Sequence, residues 1–270
     1  MSVLLPWTVG LLLFASGAGP APSSEPKPER VLRVCADPNN LPFSNARGEG
    51  FENRLAELLG RELKARVEYT WWAQRRGFIR GTLKANLCDV VMGVPTELEM
   101  VLPTRPYYRS TYVFVTKKDG GPKVRSFDDP VLHQVKVGVH LVGDDFSNTP
   151  PAHALTRRGI IQNVVGYTLY GDYAEDSPPS ALVEAVRKGD VDVAVVWGPL
   201  AGYQARRPGV PLTLSPVSPQ VDPPGLVFAF DIAVGVRKGD KALRDELDAA
   251  LTRRKREVRA LLTSYGVPSP

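Results

Sequence analysis

The chain has 270 residues, 43% of them hydrophobic and 23% charged, and a formal net charge of +5. Those proportions exclude a disordered or collagen-like chain and give room for one large domain or two lobes of roughly 100 residues each. The positive charge is modest and marks no nucleic-acid arm: the densest run, Arg253-Arg254-Lys255-Arg256 with Arg259 beyond, reads as a solvated helix face.

Leu4 to Ala15 is an apolar run followed by Ser16, Gly17, Ala18 and Gly19, the pattern of a secretory signal peptide over residues 1–18, with cleavage near Ala18. No Lys or Arg precedes the apolar core, so either the α-amino group supplies the positive end or the true start lies elsewhere. The run is interrupted by Pro6 and Gly10 and falls short of the ~20 residues a membrane span needs. The mature protein is therefore expected outside the cytoplasm, without a membrane span. Pro20, Pro22, Pro26 and Pro28 mark residues 19–30 as a flexible tether.

Beyond the tether, Val31 to Ala36 alternates as a first strand and stops at Asp37-Pro38-Asn39-Asn40-Leu41-Pro42-Phe43-Ser44, a turn sequence. Phe51, Leu55, Leu58, Leu59 and Leu63 fall at helical spacing and predict an amphipathic helix over Gly50 to Lys64. Val67 to Trp71 predicts a strand, Gly77 to Leu87 a helix, and Asp89 to Val94 a third strand. Strand, helix, strand, helix, strand implies a parallel sheet with right-handed crossovers.

Tyr112 to Thr116 carries the chain out of this lobe, and after Lys117 to Pro122 the same grammar starts again. Val135 to Val139 predicts a strand followed by a polar turn holding Asp144. A short helix over Pro151 to Arg158, a strand over Ile160 to Val165 and a helix over Pro179 to Lys188 come next. Val191 to Trp197 is the most strand-like run in the chain and opens a helix at Gly198-Pro199. Leu212 to Val217 and Val227 to Val236 predict strands, and Asp240 to Leu262 a helix or helix pair. The expected fold class is α/β and two-lobed, each lobe a mainly parallel sheet flanked by helices, with two crossing segments. Residues 31–115 and 218–270 are assigned to lobe 1 and residues 116–217 to lobe 2.

Chemistry-bearing motifs are few. His133, His140 and His153 have no metal-ligand spacing, so no metal is expected. No G-x-S-x-G elbow, G-x-G-x-x-G turn or P-loop occurs, which leaves catalysis and a nucleotide cofactor without a motif. The acidic pairs Asp144-Asp145 and Glu97/Glu99 have no identifiable acid/base partner. Cys35 and Cys88 form an even count that invites a disulfide in an exported chain, whereas their positions late in one strand and just before another argue for a mismatch in register; both readings stand.

Taken in order, Leu32-Arg33-Val34-Cys35-Ala36-Asp37, Gly50-Phe51-Glu52, Cys88-Asp89-Val90, Thr104-Arg105-Pro106-Tyr107-Tyr108, Gly189-Asp190-Val191-Asp192 and Val236-Arg237-Lys238-Gly239-Asp240 resemble the type II periplasmic solute-binding proteins of ABC transporters, over almost the whole mature chain. Asp37 to Asn45, Glu68 to Trp72 with Gln74 to Phe78, Arg105 to Phe114 and Trp197 to Tyr203 are similar to one branch, the proteins associated with quinoprotein (PQQ-dependent) methanol dehydrogenases. That resemblance implies a two-lobed type II fold, a place in the periplasm and a non-catalytic accessory that activates or assembles a PQQ-dependent methanol dehydrogenase through protein contact. The alternative it implies is a transporter component that captures a small polar solute between the lobes and docks on an ABC permease. In the amino-acid-binding cluster of the family a Thr followed by Arg clamps the ligand carboxylate. Here the corresponding turn, Val94-Pro95-Thr96-Glu97-Leu98-Glu99-Met100, carries acids instead.

Candidate ligand or partner contacts follow. Asp37, Asn39 and Asn40 end a strand where a cleft would present them, and the same residue types stabilise tight turns, so they read as turn plus cleft wall. Trp71, Trp72, Phe78, Tyr107, Tyr108 and Trp197 either line a pocket or partner patch or pack in the core, and Phe43, in the turn after the first strand, joins the candidate contacts. Arg75 and Arg76 suit an acidic partner surface or an anionic ligand and equally a solvated helix start, and Arg109 stands with them and Arg105 as a candidate to replace the missing carboxylate clamp. Thr96 and Asp144 complete the set as turn residues after strands.

Overall fold

The computed structural model describes residues 1, 3, 29–142, 148–169 and 177–268. The expected signal peptide beyond Met1 and Val3, the expected tether up to Pro28, and Asp144 lie outside the described residues. Alternation of Val and Leu makes β1 (Arg30–Ala36), and the following turn closes into a hairpin of β2 (Asn39–Asn40) and β3 (Ser44–Asn45). Helix α1 (Phe51–Leu63) buries Phe51, Leu55 and Leu59 and stops at Lys64, which takes the left-handed conformation. Strand β4 (Ala65–Trp71) then returns parallel to β1, from Arg30 opposite Ala65 to Ala36 opposite Trp71.

The helix expected over Gly77 to Leu87 is only α2 (Phe78–Gly81). Gly81 is a poor helix residue, the Thr82 hydroxyl folds back onto the Phe78 carbonyl, and Asn86 adopts a φ of 60°, so the chain continues as turns. Phe78, Ile79 and Leu83 are nonetheless buried. Strand β5 (Val90–Pro95) lies parallel to β1 on its other edge.

Asp89 anchors that edge. Its carboxylate accepts from the backbone N–H and guanidinium of Arg33 and from Arg237, tying the middle of β1 and the start of β5 to the end of the last strand. Beside it Cys35 and Cys88 form a disulfide, their Cα atoms 5.5 Å apart, because the turn at Asn86 brings Cys88 back toward β1.

After the short β6 (Leu102–Pro103), β7 (Tyr108–Lys117) crosses the molecule. The second lobe contains β8 (Val137–His140), α3 (Pro150–Arg157), β9 (Val164–Tyr167), α4 (Ala181–Lys188), β10 (Val193–Trp197), α5 (Gly198–Ala205) and β11 (Leu212–Pro216). A small hairpin of β12 (Val221–Asp222) and β13 (Leu226–Val227) precedes β14 (Ala229–Val236), and α6 (Lys241–Arg253) and α7 (Lys255–Ser264) close the chain. The main sheet runs β4-β1-β5-β14-β7-β10-β8-β9, with β11 on the far half of β7. Each lobe thus has a parallel trio: β4, β1 and β5 in one, β10, β8 and β9 in the other.

Both crossings are antiparallel and lie side by side. The first part of β7 pairs with β14 from Thr111 opposite Ala229 to Tyr108 opposite Ile232, and from Tyr112 onward β7 pairs with β10. Separate cores flank this ribbon, one built on Leu55, Leu59, Val90 and Leu247, the other on Phe114, Leu132, Val195 and Phe228. Beyond α7 the chain makes a third connection. Arg206, just past α5, donates to the carbonyls of Thr263 and Ser264 at 2.8 Å, Tyr203 stacks on Tyr265, and Ser110 Oγ donates to the Pro268 carbonyl. Only glycine fits at position 202, since a Cβ there would fall on the Gly266 carbonyl oxygen.

The disulfide closes a loop with a sequence separation of 53. Chain-entropy arithmetic for such a loop gives about 4 kcal/mol. Guanidinium unfolding of Cys35→Ser/Cys88→Ser should show a stability lower by roughly that amount, and an unchanged midpoint would contradict the entropic account.

Candidate functional site

The turn after β1 is organised by one buried carboxylate. Asp37, 1% exposed, accepts from the backbone N–H of Asn39 at 2.8 Å and of Gln74 at 2.7 Å. Burial pushes its carboxyl up, and these two N–H groups pull it back. Through Gln74, Asp37 joins the β1 turn to the segment after β4, and Asn40 Nδ2 donates to Gln74 Oε1 at 3.0 Å. Carbonyls of Pro42 and Phe43 accept from Phe51 and Glu52, two of the N–H groups that a helix start leaves without an internal partner. The hairpin and the first turn of α1 are therefore one unit, and it faces the carboxyl end of β5.

That unit, the ribbon and the second lobe enclose a cavity of about 300 Å³. Asn40, Phe43, Glu52 and Gly93 supply the first-lobe wall, Tyr108, Tyr112, Phe230 and Ile232 come from the ribbon, and His140, Leu182, Trp197 and Leu200 form much of the opposite wall. The position is the one that α/β folds reserve for ligands, at the carboxyl ends of parallel strands. Trp197 is edge-to-face with Tyr112 at 5.3 Å and with Phe230 at 6.0 Å, and its indole N–H hydrogen-bonds the Tyr108 hydroxyl. Burial pushes the phenols of Tyr107 and Tyr108 well up and lowers His140 to about 4, so all three are neutral at neutral pH.

Glu52 is the residue that sequence reasoning missed. Its side chain is 8% exposed and lies so close to Gly93 that a Cβ on Gly93 would strike its Oε1. No cation or hydrogen-bond donor meets the carboxyl among the described residues, and burial alone lifts it to about 8. At neutral pH Glu52 is mostly a protonated acid. In the sequence it is the charged neighbour of Phe51 on an amphipathic helix, and only the glycine on β5 marks the contact.

The other candidate residues are placed as follows. Asn40, Phe43, Tyr108 and Trp197 line the cavity. Asp37 and Asn39 lie behind its wall as turn residues. Trp71 stacks on Tyr69 at 4.6 Å along β4 and packs on the first core. Tyr107 turns its hydroxyl to the Met92 carbonyl, and Arg109 pairs with Asp231 at 3.0 Å, both on a groove against α6 and α7 rather than in the cavity. Thr96 bonds Glu97, so the turn after β5 points its polar groups at one another. Trp72, 45% exposed, lies over Gly81, and Arg75, Arg76 and Arg80 border a groove with Leu98 and Met100 that shares Gln74, Gly93 and Pro95 with the cavity.

Among the described residues no group of three or more His, Cys, Asp or Glu could hold a metal ion, and no helix is long and apolar enough to cross a membrane. Residues 32–266 match the model of the bacterial extracellular solute-binding proteins, family 3. Protein MoxJ of Methylorubrum extorquens is 33% identical over 88% of this chain and 81% of its own length. Among solved structures, MxaJ from Methlophaga aminisulfidivorans MPT superposes with a TM-score of 0.76 at 27% identity, covering 88% of this chain and 99% of that one. The periplasmic binding protein XoxJ from Methylobacterium extorquens AM1 superposes with a TM-score of 0.72 at 32% identity, covering 89% and 99%.

A carboxyl raised from 4.5 to about 8 by the fold makes the native state bind a proton that the unfolded chain has released, so stability falls as pH rises through that window. Glu52→Gln lacks this term. Its stability relative to the parent should grow by on the order of 1 kcal/mol per pH unit from about pH 5 to about pH 8, read by urea unfolding at the two ends. Gly93→Ala should cost about 1–3 kcal/mol by overpacking, and Glu52→Ala in the same chain should recover much of it; simple additivity would show that the two side chains do not meet.

Proposed function

The chain belongs to the bacterial extracellular solute-binding proteins, family 3, in the branch associated with methanol dehydrogenases, and from that premise we propose that it is a periplasmic, non-catalytic accessory of a PQQ-dependent methanol dehydrogenase, acting by protein contact. The observation that carries the contact is the mouth of the cleft. Trp72 is nearly half exposed, and a few residues on, Arg75, Arg76 and Arg80 border a groove that shares Gln74, Gly93 and Pro95 with the inter-lobe cavity. Exposed Trp and Arg are the residue types that dominate binding energy at protein interfaces. An acidic, partly apolar segment of the enzyme is the complementary partner.

A second reading has its own observation. The cavity between the lobes is of ligand size and largely apolar, as a receptor for a small solute on an ABC permease requires. Closure around such a solute would bend the β7–β14 ribbon. A thermal-shift screen tests it, because a solute at 100 times its dissociation constant stabilises the fold by about 2.7 kcal/mol.

For the first reading the protein is immobilised and challenged with periplasmic extract containing the dehydrogenase, at low and at moderate salt. Recovery of the enzyme is expected, with Trp72→Ala binding at least about tenfold more weakly. Failure to recover the enzyme at either salt concentration would discard the accessory role.

A further inference from the structure

A second groove lies on the first lobe, between the chain that enters β7 and the helices α6 and α7. It encloses about 410 Å³ and shares no residue with the groove at Arg75, Arg76 and Arg80. One wall is Arg105 to Arg109. The other is a helix face: Lys255, Val258, Arg259, Leu262 and Thr263 recur at the three- and four-residue spacing that sets side chains on one side of α7. Asp248, Leu251 and Thr252 do the same on α6.

The groove is basic at its rim and apolar at its base. Arg105 donates to Asp248 and Arg109 pairs with Asp231, so these two cations are met. Arg253 and Arg254, earlier in the same basic run, are held by Glu62 on α1. Lys255 and Arg259 are exposed, one turn apart, and meet no carboxylate among the described residues. Between the walls lie Tyr107, Val267 and the buried side chains of Leu251, Val258 and Leu262.

An inorganic anion would satisfy the cations and leave the apolar base in water, and a flat bilayer surface would meet only the rim. An acidic protein segment covers both. From Lys255 to Thr263 helix α7 rises about 12 Å, which matches roughly four residues of extended chain. Successive side chains of such a chain point to opposite faces, so aliphatic residues can turn to the base while acidic residues between them meet the long cationic side chains at the rim.

We infer that this groove docks an extended, acidic segment of a partner protein in which carboxylates alternate with aliphatic side chains. Lys255 and Arg259 take the carboxylates, and Tyr107, Leu251, Val258 and Leu262 take the aliphatic side chains. The site is separate from the mouth of the cleft and holds under either reading of the function. Its charges stand in water, so they supply selectivity and a salt-sensitive attraction, and the apolar base supplies the buried area.

The test is fluorescence anisotropy of the full chain with a dye-labelled peptide of alternating glutamate and leucine. Peptides of alternating glutamine and leucine and of alternating glutamate and serine are the controls. The glutamate-leucine peptide should bind, more tightly at low salt than at high, and each control should bind at least about tenfold more weakly. Lys255→Glu/Arg259→Glu, its fold checked by circular dichroism, should weaken binding at least about tenfold. Lys241→Glu/Arg256→Glu makes the same change of net charge on α6 and α7 outside the groove, and should leave the affinity within about twofold of the parent.

The proposal is overturned if the glutamate-leucine peptide does not bind, if either control peptide binds as tightly, or if the two charge-reversal pairs weaken binding equally. Binding that survives Lys255→Glu/Arg259→Glu also overturns it, because the peptide then sits elsewhere, as at Arg75 and Arg76. Sedimentation of the parent, but not of that variant, with phosphatidylglycerol vesicles in the absence of peptide binding assigns the groove to a membrane and overturns it as well. Capture of the dehydrogenase plays no part in these measurements, so the accessory reading can fail while this one stands, and the reverse.

Discussion

Everything in this molecule depends on the antiparallel ladder between Tyr108–Thr111 and Ala229–Ile232. It is the only stretch of sheet in which neither strand belongs wholly to one lobe among the described residues, and it joins two parallel trios that face each other across it. The same four rungs supply Tyr108, Phe230 and Ile232 to the cavity. Floor and hinge are therefore one structure: any rotation of the lobes reshapes the surface that an occupant touches.

The second constraint is electrostatic. An acid buried with no partner is costly when ionised, and the fold pays that cost by keeping Glu52 protonated. Its place is set by the glycine opposite and by the hairpin carbonyls that receive the first turn of α1. The turn after β5, where amino-acid receptors of the family present an arginine, instead has Thr96 bonded to Glu97. Together these leave the cleft, among the described residues that line it, without an arginine or lysine to meet a zwitterion's carboxylate.

Much of this was legible in the sequence. The β-branched run at Val191 to Trp197, the amphipathic spacing of α1 and the order of short motifs pointed to a two-lobed α/β chain, and the structure shows what ties three of those motifs together. Asp89 of Cys88-Asp89-Val90 is held by Arg33 and by Arg237 of Val236-Arg237. What stayed hidden depends on pairings distant in the chain. Helical spacing sets Glu52 on the margin of a polar face, and whether such a carboxyl meets water or a cavity is decided by Gly93 on another strand. Tyr107 and Tyr108 are adjacent and read alike, yet a bend between them sends one to the Met92 carbonyl and the other to the cavity. Gly77 to Leu87 carries a helical pattern of apolar residues that the turn-forming Thr82 and Asn86 override while the same side chains remain buried.

The tail beyond α7 bears on how the protein can be handled. With Gly266 against Gly202 and the Pro268 carbonyl on Ser110, the last described residues lie at the junction of the lobes rather than on a free end. An affinity tag or fusion partner appended there would sit against the ribbon, whereas β1 is separated from the ribbon by β5. Reporter groups meant to register a change at the junction have a natural attachment point at the C-terminal end, and a handle meant to leave the junction untouched belongs ahead of β1.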